Sequence, residues 1–227
     1  MFNSQKSKLC IVLVVLGAVF CSAQVMAFGL GDITGGGKSS SASSGDPDAF
    51  LKTAQAAEVL MGSSLTHLSN SLLAKGKSAD FAAQRKAANE TTDPKEKEAR
   101  IAEIQKSEAA AVQAAVSDSN LKENINKMDS SQRAEIGAAA FNFVLALLQD
   151  KALSEQASGL ISSLSSNPMN IGKLGSVKDA ASSVSNQMSS GAQLATKMPA
   201  IFSAVGVTAP TSMNDKPKAD NATNGTE

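Results

Sequence analysis

The sequence predicts an all-α protein, a bundle of about six or seven helices. Composition points there first. Aromatic residues make up 4% of the 227-residue chain, with no Trp, no Tyr and eight Phe. Alanine and serine dominate instead, and β-branched residues are thin in the middle of the chain, which favours helices over sheets. Helix-start signals then recur along the chain, and each is followed by apolar residues at spacings of three and four. A chain of this length can bury one sizeable core. Filled mostly by small side chains, that core requires helices that approach closely.

The elements follow in order. Lys6 and Lys8 precede an apolar run, Leu9 to Phe20, and Val25-Met26-Ala27 supplies the residues at −3 and −1 of a cleavage site. Residues 1–27 therefore read as a secretory signal peptide cut after Ala27. The run is short for a membrane span, which needs roughly 20 residues, so an uncleaved anchor is the weaker reading. Bulky Phe20 before Cys21 departs from the small residue that a bacterial lipobox wants. Residues 28–45 are rich in Gly and Ser without periodicity and read as a flexible segment.

Residues 46–207 read as the bundle. Asp46 caps and Pro47 opens the first helix. Phe50, Ala54, Ala57, Met61, Leu65, Leu68 and Leu72 form its apolar stripe, with Lys52, Glu58, Thr66 and Asn70 facing away and Gly76 as the stop. Ser78 to Asn89 is a short helix. Asp93-Pro94-Lys95-Glu96 repeats the start signal, with Glu96 placed to complete a capping box. Glu96 and Arg100 add a pair of about 0.3 kcal/mol. Asp129-Ser130-Ser131-Gln132 is a third start. The stretch behind it, Ala134 to Leu148, is the most apolar of the mature chain and predicts a central helix ending near Asp150. Leu153 to Leu164 is a further helix. Asn167-Pro168 breaks the chain, and Ser176-Val177-Lys178-Asp179 is a fourth start. Val177 to Met198 continues at helical spacing, interrupted at Gly191 and closed by Pro199. Residues 208–227 turn polar and read as a disordered tail. No repeat of fixed period supports a solenoid.

Charge and chemistry exclude more than they identify. Cleavage after Ala27 removes both cysteines, so the mature chain forms no disulfide. It also removes two of 21 basic residues, leaving 19 against 21 acidic ones, which gives no electrostatic case for nucleic acid. Gly37-Lys38-Ser39 matches the end of a P-loop. Asp32 stands where the first glycine belongs, however, and neither the strand nor the helix of that motif flanks it. His67 is the one histidine, and zinc wants three or four N, S or O ligands together. A Ser-His-Asp arrangement has no Gly-x-Ser-x-Gly elbow to rest on, so His67 reads as a half-buried polar residue. Asp46 and Asp48 are explained by the positive helix N-terminus. The scattered Met residues read as core filling. Ala134 to Leu148 lacks the Lys and Arg of a membrane-surface helix and reads as buried in the bundle. Asn89-Glu-Thr91, Asn221-Ala-Thr223 and Asn224-Gly-Thr226 match the glycosylation sequon by chance.

Phe28-Gly-Leu-Gly-Asp-Ile-Thr-Gly-Gly-Gly37, Asn89-Glu-Thr-Thr-Asp-Pro-Lys-Glu-Lys-Glu98 and Ser166-Asn-Pro-Met-Asn-Ile-Gly-Lys-Leu174 resemble uncharacterised exported proteins of Gram-negative bacteria. The resemblance implies a periplasmic or secreted location and carries over no site residue. The expectation is an exported, non-catalytic helical protein with no cofactor, no metal and no catalytic residue. Its expected partner is a protein or an element of the cell envelope, with peripheral lipid contact as an option. The alternatives are a bundle holding a lipid or small apolar ligand, and a hydrolase using His67.

Overall fold

The computed structural model describes residues 46–167 and 171–219. The expected signal peptide, the Gly/Ser-rich segment, Met169 and the last residues of the tail lie outside the described residues. Among those described there are seven α-helices and no strand: α1 (Pro47–Leu72), α2 (Lys75–Asn89), α3 (Pro94–Val116), α4 (Leu121–Asn126), α5 (Ser130–Ser166), α6 (Leu174–Ala195) and α7 (Met198–Val205), with a 3-10 turn at Ile171–Lys173. The all-α bundle expected from composition is the observed fold.

Several starts are chemically explicit. The Asp46 carboxylate accepts from the backbone N–H groups of Asp48 and Ala49 at 3.0 and 3.4 Å, and Pro47 opens α1. Asp93 accepts from Glu96 N at 2.9 Å. The box expected there is not reciprocated, because the Glu96 carboxylate is taken by Arg100 at 2.6 Å. The reciprocal capping box stands at α5, where Asp129 accepts from Gln132 N at 2.8 Å and Gln132 Oε1 accepts from Asp129 N at 3.2 Å.

Other boundaries differ from the expectation, each for a visible reason. Gly76 is not a stop. α1 ends at Leu72, Leu73 is extended, and Gly76 lies in the first turn of α2. α5 does not end near Asp150 but runs unbroken for 37 residues, about 55 Å at 1.5 Å per residue. No Gly or Pro stands between Leu148 and Leu153 to stop it. α6 starts at Leu174, ahead of the expected Ser176 box, because Leu174 packs against the core and draws the first turn in. α6 also passes through Gly191. An added Cβ there would lie 2.9 Å from Leu147 Cδ2 and 3.3 Å from Phe143 Cζ, so the glycine is what lets α6 lie against α5. Pro199 opens α7 instead of closing α6, and Gly206 at φ 72° ends α7. The sequence reading passes over α4, whose Leu121 and Ile125 are buried one turn apart.

α5 is the central helix, packed against α1, α6 and α7. By length and apolarity alone it could cross a membrane, but 67% of its most apolar window is buried inside the bundle. The core has two main parts along it. One joins Met61, Leu65 and Leu68 of α1 to Ile136–Ala146 of α5, with Leu194 of α6 and Met198, Ile201 and Phe202 of α7. The other joins Phe50 and Ala54 of α1 to Leu153, Leu160 and Leu164 of α5 and to Val177 and Val184 of α6. A small third cluster, including Phe81 and Ile104, ties α2 to α3.

Beyond α7 the chain does not leave the bundle at once. Pro210 is buried. The Asp215 carboxylate accepts from Thr211 N and Ser212 N, closing a turn. Asn142 of α5, 1% exposed, grips Lys218 from both sides: Lys218 N donates to Asn142 Oδ1 at 2.8 Å, and Asn142 Nδ2 donates to Lys218 O at 2.9 Å. Lys218 Nζ sits 4.6 Å from the Phe141 ring centre. Residues 208–218, the first part of the expected tail, thus form a strap along α5.

Candidate functional site: a polar belt across the core

Three polar side chains separate the two main apolar clusters. On α1, Glu58 stands between Ala54 of one cluster and Met61 of the other. On α5, Asp150 stands between Ala146 and Leu153. On α6, Gln187 stands between Val184 and Leu194. Each occupies a slot in its helix's apolar spacing, so helical geometry turns all three inward.

The belt is poorly satisfied. Asp150 is fully buried and neither carboxylate oxygen has a hydrogen-bond partner. Burial pushes its pKa up to about 7, and the negative charge of Glu58 adds to the rise. Glu58 is itself raised, first by burial and then by Glu98 of α3. Gln187 is 5% exposed. Its Nε2 donates to Ser183 Oγ at 3.2 Å while its Oε1 has no partner.

The belt ends at the surface in a cleft of about 200 Å3 where α1, α3 and α6 meet. Glu58, Lys95, Glu98, Gln105, Asn186 and Gln187 are among the residues that line it, with Ala99, Ile101 and Ala102 as its apolar lining. A second recess of about 330 Å3 lies on the outer face of α2 and α3, between Gln84, Arg100 and Glu103. No group of three His, Cys, Asp or Glu among the described residues could hold a metal ion.

A second buried carboxylate provides a contrast. Glu108 of α3 is 1% exposed, and the Arg85 guanidinium of α2 donates to its Oε2. That pair fastens α2 to α3.

His67 lies at the edge of the α1 stripe, half-buried, with Nδ1 3.2 Å from Glu135 Oε1 on α5. It lines neither recess. Asp46 and Asp48 lie at the start of α1, the first as its cap and the second in a salt bridge with Lys173. Of the methionines, Met61 and Met198 are buried in the core as expected. Glu58, read from the sequence as a wet-face residue, is in fact half-buried and belongs to the belt. The sequence spacing places a helix end near Asp150 and does not single out Gln187. The available signal was positional: an acid or amide at a position where the apolar spacing continues on both sides.

Comparison with protein-family models, with curated proteins and with solved structures finds no match for this chain.

Proposed function

We propose that the chain is an exported, non-catalytic α-helical protein that binds or scaffolds in the envelope of a Gram-negative bacterium. The observation that carries the binding part is the polar cleft between α1, α3 and α6, a recess formed by three helices whose wall includes an almost buried Gln187 with an unpartnered amide oxygen. Preformed recesses with a few convergent polar groups are the common form of a binding site. Most of its lining residues carry polar side chains, although the surface they present is about half apolar, and the converging carboxylates and amides favour a polar group of a partner or ligand over a lipid chain. The export part rests on residues 1–27, with their basic start, apolar run and small residue at the cut.

Expression of the full chain in a Gram-negative host tests both parts. The expected product is periplasmic, with an intact mass starting at Phe28. In-cell crosslinking through a cysteine placed at Asn186 is expected to give a discrete adduct that disappears when Gln105 and Ser183 are replaced by Leu. A full-length product held in the cytoplasm would overturn export. A clean monomer without adduct would overturn binding at the cleft.

A further inference from the structure

We propose that the belt is a proton-controlled joint in the bundle: neutral, it lets the two apolar clusters close on each other, and ionised, it draws water into the seam and parts α6 from α1 and α5. The inference concerns the seam itself and stands whatever the cleft holds.

The argument starts from position. Glu58, Asp150 and Gln187 lie on three neighbouring helices between the same two clusters, so the seam crosses the bundle from one helix to the next. A buried carboxylate is tolerated when a cation and hydrogen bonds satisfy it. Glu108 has such a cation in Arg85, which meets Oε2 and leaves Oε1 unpartnered. Asp150 has none, and both its oxygens are unpartnered. The groups that face it worsen its position when it ionises. From α1 comes Glu58, and behind Glu58 on α3 come Glu98 and Lys95, which line the cleft with it. From α6 come neutral Gln187 and Ser183, and α7 carries no ionisable side chain. Three carboxylates then stand against one exposed ammonium.

Water is the remaining way to stabilise an ionised Asp150, and the cleft supplies the route. Its 200 Å3 leaves room for several waters. At the seam α6 contributes an amide whose oxygen is unsatisfied, so water entering there meets a group that the closed seam leaves unpaired. The raised proton affinities of Asp150 and Glu58 place the change near neutral pH.

Hydrogen–deuterium exchange of the full chain, read at pH 5.5 and 8.0 and corrected for intrinsic rate, tests this. Peptides covering 148–156 and 184–190 are expected to lose at least tenfold protection at pH 8.0 relative to 136–145, which lies inside one cluster. Asp150→Asn keeps the shape without the charge and is expected to abolish the difference. Glu58→Gln removes a repelling charge that holds the proton on Asp150, so the change is expected to move to lower pH, and a move to higher pH would overturn the joint. Equal loss of protection in all three peptides would make the effect global and overturn the joint. So would a pH response that survives in Asp150→Asn, or one that Glu58→Gln leaves in place.

Discussion

Glu108 and Asp150 are both buried carboxylates in the same bundle, and they are handled in opposite ways. Glu108 receives the Arg85 guanidinium across the α2–α3 contact. Asp150 sits in the α1–α5–α6 seam beside another carboxylate and receives nothing. One arrangement fixes two helices together. The other leaves a group whose charge the surrounding core opposes, in the region where the bundle also opens a polar cleft. Burial alone does not separate structural from sensitive carboxylates; what faces them does.

The comparison breaks most strongly if the cation is taken from Glu108. Arg85→Ala leaves a buried carboxylate unpaired, and the expected loss is about 3–5 kcal/mol by urea denaturation at pH 7. A loss below 1 kcal/mol would show Glu108 to be accessible to water and the contrast to be false. Asp150→Asn is expected to act in the other direction. Asp150 holds its proton to about pH 7 in the folded chain but only to about 3.8 when unfolded. Between those values the folded state binds more protons, so the wild type loses stability as pH rises through that window. The Asn variant should lack that slope and be roughly 2–4 kcal/mol more stable than wild type at pH 8. Equal slopes in thermal melts from pH 4 to 8 would contradict the assignment.

Smaller effects sharpen the picture by calibrating ordinary polar contacts. Asn142→Ala removes both hydrogen bonds to Lys218 and should cost about 1–2 kcal/mol, with faster proteolysis of residues 208–218. Unchanged cleavage there would show that Pro210 and Val207 hold the strap by themselves. His67→Ala breaks a half-buried contact with Glu135 and should cost under about 1 kcal/mol.

Much of the fold was legible because it rests on local rules. Asp46-Pro47, Asp93-Pro94 and Asp129-x-x-Gln132 start helices through backbone hydrogen bonds that depend on neighbours in sequence. The apolar stripe of α1 and the burial of Ala134–Leu148 follow from helical spacing. What was hidden depends on distant partners. The sequence places a helix end near Asp150, whereas the packing of Leu153, Leu160 and Leu164 carries α5 onward. The strap has no periodicity to detect, since it is held by side chains of α5 that meet its backbone from more than 60 residues away. The belt is assembled from three helices, and no linear motif links Glu58, Asp150 and Gln187. Its residues show only as misfits in three separate apolar patterns.

Two glycines sit on surfaces pressed against neighbours. A methyl on Gly137 would lie 2.8 Å from Val207 Cγ2, and one on Gly191 would lie 2.9 Å from Leu147 Cδ2. The missing carbon at Gly137 lets the chain entering the strap at Val207 lie against α5, and the one at Gly191 lets α6 do so. A larger residue at either position must displace a neighbouring side chain, a Val207 methyl or the tip of Leu147, so each glycine fixes how closely its neighbour can lie.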